Sequence, residues 1–207
     1  VKKELWINQD IANELSLPYT PGLNQDPSAV VSIVRINRAM ADYQKGTVAE
    51  QLPTPFEVMA RDSAGRAVKD VLVTFKAIAG GGTLFGVSPD GSGNPVTGAE
   101  ITVKTGPDGI AWAVLTLGQK TSASPYWIQD TPHWILAGLN QVAVSAQVCT
   151  DTIYTDKPFE AYGLPGNAKN ISIVSGDQLY GSVNTYSGTL WAIVTDEYNN
   201  PVSNDLV

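Results

Sequence analysis

The sequence is poor in the residues that do chemistry: one cysteine, Cys149, and one histidine, His133, in 207 residues. A lone cysteine excludes an internal disulfide, and with one imidazole beside it there is no ligand set for a zinc site. Nucleophilic catalysis needs a base near the nucleophile and a group that orients the base. His133 lies in a Pro- and Trp-rich stretch without a nucleophile motif, so a packing role is expected. Positive charge is also scarce. Thirteen Lys and Arg against twenty Asp and Glu give a formal charge of -7, and no segment interleaves Lys or Arg with aromatics. Nothing here would neutralise a row of phosphates, and nucleic acid is not an expected partner. No apolar run approaches the ~20 residues of a membrane-spanning helix. The chain starts at Val1 without a charged n-region and apolar h-region, so a removed signal peptide or an excised fragment is expected. Charged residues make up only 16% against 43% apolar, which excludes a disordered tail.

What is present is punctuation and alternation. Nineteen glycines and thirteen prolines are spread along the chain, as many short strands joined by turns require. Residues 1–29 have no clean period and read as an irregular lead-in or the end of a preceding domain. From Val30 the pattern is β. Val31–Ile36 is β-branched, Phe56–Arg61 alternates, and Val71–Ile78 places Val71, Val73, Phe75 and Ala77 on one face. Asp62-Ser-Ala-Gly65 reads as a chain reversal. Glu100–Lys104, Pro107-Asp-Gly109 and Ile110–Leu117 together predict a hairpin. Gln141–Val148, with Val142, Val144, Ala146 and Val148 in phase, and Ile153–Tyr162 complete roughly seven strands, as a two-sheet sandwich needs. Two insertions, 86–99 and 118–139, are expected as surface loops, and 163–169 as a linker.

The pattern then restarts. Asp62-Ser-Ala-Gly-Arg-Ala-Val-Lys-Asp-Val-Leu-Val73 aligns with Asp196-Glu-Tyr-Asn-Asn-Pro-Val-Ser-Asn-Asp-Leu-Val207 at an offset of 196 − 62 = 134, with Asp, Val, Leu and Val coincident. A repeated β-rich unit behind a short linker means an array. The expected division is a complete domain at 30–162 and an incomplete second copy at 170–207, whose strands either pair with another molecule or pack on the first domain.

These residues resemble the group 1 bacterial immunoglobulin-like domain of invasin- and intimin-type surface proteins. The resemblance rests on Gly46-Thr-Val48, Leu52-Pro-Thr-Pro-Phe56, Asp62 with Gly65 and Val68, Val71-Leu-Val-Thr-Phe75, Gly80-Gly-Gly-Thr-Leu84, Thr105 with Asp108-Gly-Ile-Ala111, Leu115-Thr-Leu-Gly118 and Asn140-Gln-Val-Ala143. Asn170-Ile-Ser-Ile-Val-Ser-Gly176 and Asn199-Asn-Pro-Val202 look like the second copy's first strand and turn. The resemblance implies an all-β immunoglobulin-like sandwich in an exported bacterial protein, displayed at the cell surface or outside the cell. Its implied work is spacing rather than catalysis, without a cofactor. Neighbouring domains of the same long chain are the expected partners, with another copy as a further partner through the strand edge of the incomplete second domain.

The candidate sites carry bland alternatives. Tyr126, Trp127, His133 and Trp134 supply more aromatics than a spacer loop needs. They read either as a loop folded over the sandwich or as a carbohydrate- or protein-binding platform. Asp90-Gly-Ser-Gly-Asn94 opens like a calcium loop but continues with Pro95 in place of the sharp-turn glycine and with Glu100 one position early, so a plain loop and no metal are expected. Asp62, Asp90, Asp108 and Asp196 read as turn residues rather than paired acid and base. Cys149 is expected as a free thiol, and Asn170-Ile-Ser172 as an accidental sequon. An accessory domain of a larger exported enzyme, with the chemistry encoded elsewhere, is a third reading.

Overall fold

The computed structural model describes residues 23–24, 26–122, 125–130, 133–186 and 188–203. Most of the lead-in read over 1–29, and the last four residues of the second copy, lie outside them. The described strands are β1 (Leu23–Asn24), β2 (Val30–Ile36), β3 (Gln44–Thr47), β4 (Phe56–Asp62), β5 (Ala67–Val68), β6 (Leu72–Ala79), β7 (Thr83–Val87), β8 (Pro95–Gly98), β9 (Glu100–Lys104), β10 (Ile110–Thr116), β11 (Pro125–Asp130), β12 (His133–Val148), β13 (Asp151–Tyr154), β14 (Phe159–Leu164), β15 (Asn170–Ser175) and β16 (Trp191–Thr195). One short helix, α1 (Arg38–Ala41), follows β2. Among the described residues no helix is long and apolar enough to cross a membrane.

Two seven-stranded sheets form the main body. The first runs β1-β5-β4-β10-β7-β8, with β2 also on β4; the second runs β3-β14-β12-β6-β9, with β11 and β13 also on β12. Alternation sends one set of side chains from each sheet inward. Phe56, Val58 and Leu115 of the first sheet meet Val73, Phe75, Val142, Val144 and Phe159 of the second in one core. The fold is therefore all-β, with two layers closed over a common interior.

The layers are pinned by an aromatic stack beside a buried guanidinium, which is held between the buried carboxylate of Asp42 and the exposed one of Asp156. Phe56 of β4 and Phe159 of β14 stack with centroids 4.6 Å apart and 17° between planes, and the Arg35 guanidinium lies 5.2 Å from the Phe159 centroid. Arg35 sits on β2 in phase with Ile33, so alternation turns it inward. A buried guanidinium needs partners. Arg35 Nε and Nη2 donate to the two carboxylate oxygens of Asp156, at 3.0 and 3.2 Å, and Nη1 donates to Asp42. Asp42 also accepts from the Glu160 backbone N–H at 3.0 Å, which ties the end of α1 to β14.

Four expectations change. First, Pro107-Asp-Gly109 does not close a hairpin, because β9 pairs with β6 in one sheet while β10 pairs with β4 and β7 in the other. The turn carries the chain across the sandwich. Buried Thr105 makes that crossing: its N–H donates to Val71 O, its hydroxyl to Val68 O, and the hydroxyl oxygen accepts from Val71 N, all at 2.9 Å. Second, the segments read as loops at 86–99 and 118–139 contain strands: β7 pairs with β8, and β11 with the first part of β12. Third, Ile153–Tyr162 is two strands, β13 and β14, with Thr155–Pro158 between them supplying Asp156 to Arg35. Fourth, Gly163 and Leu164, read as linker, extend β14 and pair with Gly46 and Thr47 of β3.

Beyond Pro165, β15 and β16 form a separate two-stranded sheet. Its register repeats that of β2 and β4. Ser32–Arg61, Ile33–Ala60, Val34–Met59 and Arg35–Val58 correspond to Asn170–Thr195, Ile171–Val194, Ser172–Ile193 and Ile173–Ala192. The offset is 134 on one strand (195 − 61) and 138 on the other (170 − 32). The bridge from Arg61 to Ala67 likewise recurs from Thr195 to Pro201. The pattern is the same but the burial is not: Ile33 is 4% exposed, whereas Ile171 is 60% exposed.

Candidate functional site

Two places combine unusual residues with defined geometry: the arm made by β11 with the start of β12, and the contact between the main body and the β16 turn. In the arm, Trp127 stands opposite Leu136 and Gln129 opposite Trp134, so these four share one face; Tyr126, Ile128, Ile135 and Ala137 share the other. The expected aromatic group is therefore split. Trp127 and Trp134 are 65% and 61% exposed, side by side in diagonal positions, whereas Tyr126 meets Tyr162 edge-on at 5.7 Å. Burial, and then the nearby Glu160 carboxylate, push the Tyr162 hydroxyl above its ordinary pKa. His133 pairs with Asp130 along the backbone; its side chain lies outside the described residues.

At the second place, β16 ends in the turn Asp196-Glu-Tyr-Asn-Asn200, where Asp196 and Asn200 are both 1% exposed. Asp196 Oδ1 accepts from the N–H groups of Tyr198 (2.9 Å) and Asn200 (2.8 Å), and its Oδ2 accepts from Gly166 N (2.9 Å) and Asn200 Nδ2 (2.8 Å). Burial opposes ionisation of Asp196, but these donors outweigh it and hold the carboxyl below its ordinary pKa. The Asn200 carboxamide then crosses to the main body. Nδ2 donates to Gln119 O at 2.8 Å, and Oδ1 accepts from Thr121 N at 2.9 Å. Lys120 Nζ donates to Tyr198 O, and Lys169 Nζ meets Glu197 at 3.1 Å.

The receiving loop is held from beneath by Asn140, 1% exposed, whose Oδ1 accepts from Gly118 N at 3.1 Å. Only glycine fits there. A Cβ on Gly118 would stand 1.7 Å from Gly80 O, and one on Gly138 would stand 2.2 Å from Lys120 O.

No protein-family model matches this chain, and no curated protein matches it. Its chemistry must be read from its own groups. Among the described residues, no cluster of three or more His, Cys, Asp and Glu is placed to hold a metal. The Asp90 loop satisfies itself: Asp90 Oδ1 accepts from Ser92 N at 2.9 Å, and Ser92 Oγ from Asn94 N at 3.1 Å. Cys149 is an exposed free thiol in the turn between β12 and β13, with φ of 52°. Asp62 and Asp108 cap turns, as read: Asp62 accepts from Ala64 and Arg66, Asp108 from Ile110.

Of the residues that organise the contact, Asn140 and Asn200 entered the sequence reading only inside the motifs Asn140-Gln-Val-Ala143 and Asn199-Asn-Pro-Val202, and Thr121 not at all; none was read as a contact residue. Each looks like an ordinary polar loop or strand residue until the fold brings 119–121 and 196–200 together. Arg35 did carry a signal, since a charge at the inward phase of a β-branched strand requires a buried counter-ion.

Proposed function

We propose that the chain is a non-catalytic structural spacer built from immunoglobulin-like repeats of the group 1 bacterial type, in an exported surface or adhesin-like protein. The observation that carries this reading is the recurrence of one strand-pair-and-turn unit, β2·β4 with its Asp62 turn, as β15·β16 with its Asp196 turn, with five residues between β14 and β15. Units repeated at so short a spacing form a linear array, in which each unit touches chiefly its neighbours. In such an array the main body is residues 30–162, the connection 163–169, and residues 170–207 open the next repeat. An array of stiff sandwiches holds a distal binding part away from its anchor. The parent surface protein tests this directly. Replacing residues 30–162 by an unrelated β-sandwich of similar length should preserve surface display and reach, whereas deletion should shorten the reach. Loss of adhesion in the replacement, with display intact, would overturn the spacer reading.

A second reading has its own observation, the paired exposed tryptophans of the arm. Flat, exposed indoles are effective anchors for sugars and for protein partners. On this reading the double variant Trp127→Ala/Trp134→Ala abolishes recognition on a glycan array or in a surface pull-down without changing the melting temperature. On the spacer reading it is silent in both.

A further inference from the structure

The Asp62 turn and the Asp196 turn are the same object built twice, with one decisive difference. In both, the aspartate Oδ1 accepts from the N–H groups two and four residues on: Ala64 and Arg66 in the first, each at 2.9 Å; Tyr198 and Asn200 in the second. In both, the aspartate N–H donates to the carbonyl four residues on at 3.0 Å, and the fourth residue has a positive φ, 77° at Gly65 and 62° at Asn199. In both, the fifth side chain returns to Oδ2, through Arg66 Nε at 2.8 Å or Asn200 Nδ2 at 2.8 Å. The turn thus closes equally well with Arg or Asn at its fifth position.

What Arg cannot do is accept. A guanidinium has donors only, whereas a carboxamide offers an acceptor oxygen and two N–H groups. Asn200 uses all of these at once, toward Asp196, Gln119 O and Thr121 N. Thr121 is fully buried, so its N–H needs that acceptor. Arg66, by contrast, leaves its side chain 45% exposed.

We infer that the 119–121 loop is a socket for the Asp-x-x-x-Asn turn of the following repeat, and that the fifth turn residue decides whether two neighbouring repeats lock. Asn locks the junction; Arg at the same position closes the turn but offers Thr121 N no acceptor. The socket is preformed, because Asn140 and the glycines at 80, 118 and 138 fix the path of the loop against the main body. This rests on the turn and loop geometry alone, and stands or falls separately from the spacer reading.

The test is Asn200→Arg in the full chain, since Arg66 shows that arginine is compatible with the turn. A spin label on the native Cys149 and a second on Ile173→Cys report the distance between the main body and the β15·β16 sheet, and amide exchange reports Thr121. With Asn200 the distance distribution is narrow. With Asn200→Arg it broadens severalfold and Thr121 exchanges at least tenfold faster, while the ladder amides of β15·β16 keep their protection. An unchanged distribution together with unchanged Thr121 protection overturns the inference. Loss of ladder protection along with the junction also overturns it, because Asn200 would then be needed to fold the second unit rather than to lock it.

Discussion

Replacing Phe159 by alanine removes half of the aromatic stack that joins the two sheets. Phe159 is fully buried, and its ring lies between Phe56 of the opposite sheet and the Arg35 guanidinium. Truncating a core Phe costs about 3–5 kcal/mol, of which about 0.5–1.5 kcal/mol belongs to ring pairing. At about 3 °C per kcal/mol for a protein of this size, the midpoint should fall by about 12 °C. Urea unfolding followed by tryptophan fluorescence should show a midpoint about 2 M lower, at an unchanged slope of about 2 kcal/mol/M. Phe56→Ala should cost a similar amount, and the double variant less than the sum by about 1 kcal/mol, because the two side chains touch. Phe85, 37% exposed and 6.4 Å from the Trp112 ring, supplies the surface control; Phe85→Ala should cost under about 1 kcal/mol. A Phe159→Ala cost as small as the control's, or strictly additive costs at Phe56 and Phe159, would mean that the two sheets do not meet through this stack.

Arg35→Met should lower stability by about 3 kcal/mol in thermal unfolding, because it strands the Asp42 carboxylate, whose side chain is only 5% exposed. Gly118→Ala should cost about 3 kcal/mol or more, since its Cβ has no room beside Gly80 O, whereas Gly91→Ala, with open space around it and only a positive φ to accommodate, should cost about 1 kcal/mol in the same melt. The junction should loosen in acid. Asp196 has a folded-state pKa below its ordinary 3.8, so the stability it contributes is present above that ordinary value and is lost as pH falls through the lower folded one. Faster exchange at Thr121 below pH 3.8, after correction for intrinsic rates and absent in Asp196→Asn, is the expected result; a pH-independent junction would contradict it.

Alternation was legible where it is local. Val73 and Phe75 on β6, and Val142, Val144 and Ala146 on β12, are buried in the phase the sequence predicts. What stayed illegible depends on distant partners. Pro107-Asp-Gly109 has the chemistry of a reversal, and a turn within a sheet and a crossing between sheets use the same residues. The choice is made by β9 pairing with β6, and by Thr105 bonding to Val68 and Val71. Gly and Pro at 86–99 and 118–139 masked short strands, because hairpin ends carry the same residues as loops. The aromatic cluster was visible as composition but not as a surface. Which of Tyr126, Trp127 and Trp134 share a face depends on the register of β11 with β12. The Asp62 and Asp196 turns were readable as a repeat, yet their divergence at Arg66 and Asn200 acquires meaning only beside the loop that Asn200 grips.

Backbone 15N relaxation on the wild-type chain asks whether successive units are held as one body. A single overall correlation time shared by the amides of β4, β12, β15 and β16 is the predicted result. A distinctly shorter correlation time for β15 and β16, with the Thr121 amide unprotected, would contradict the locked array.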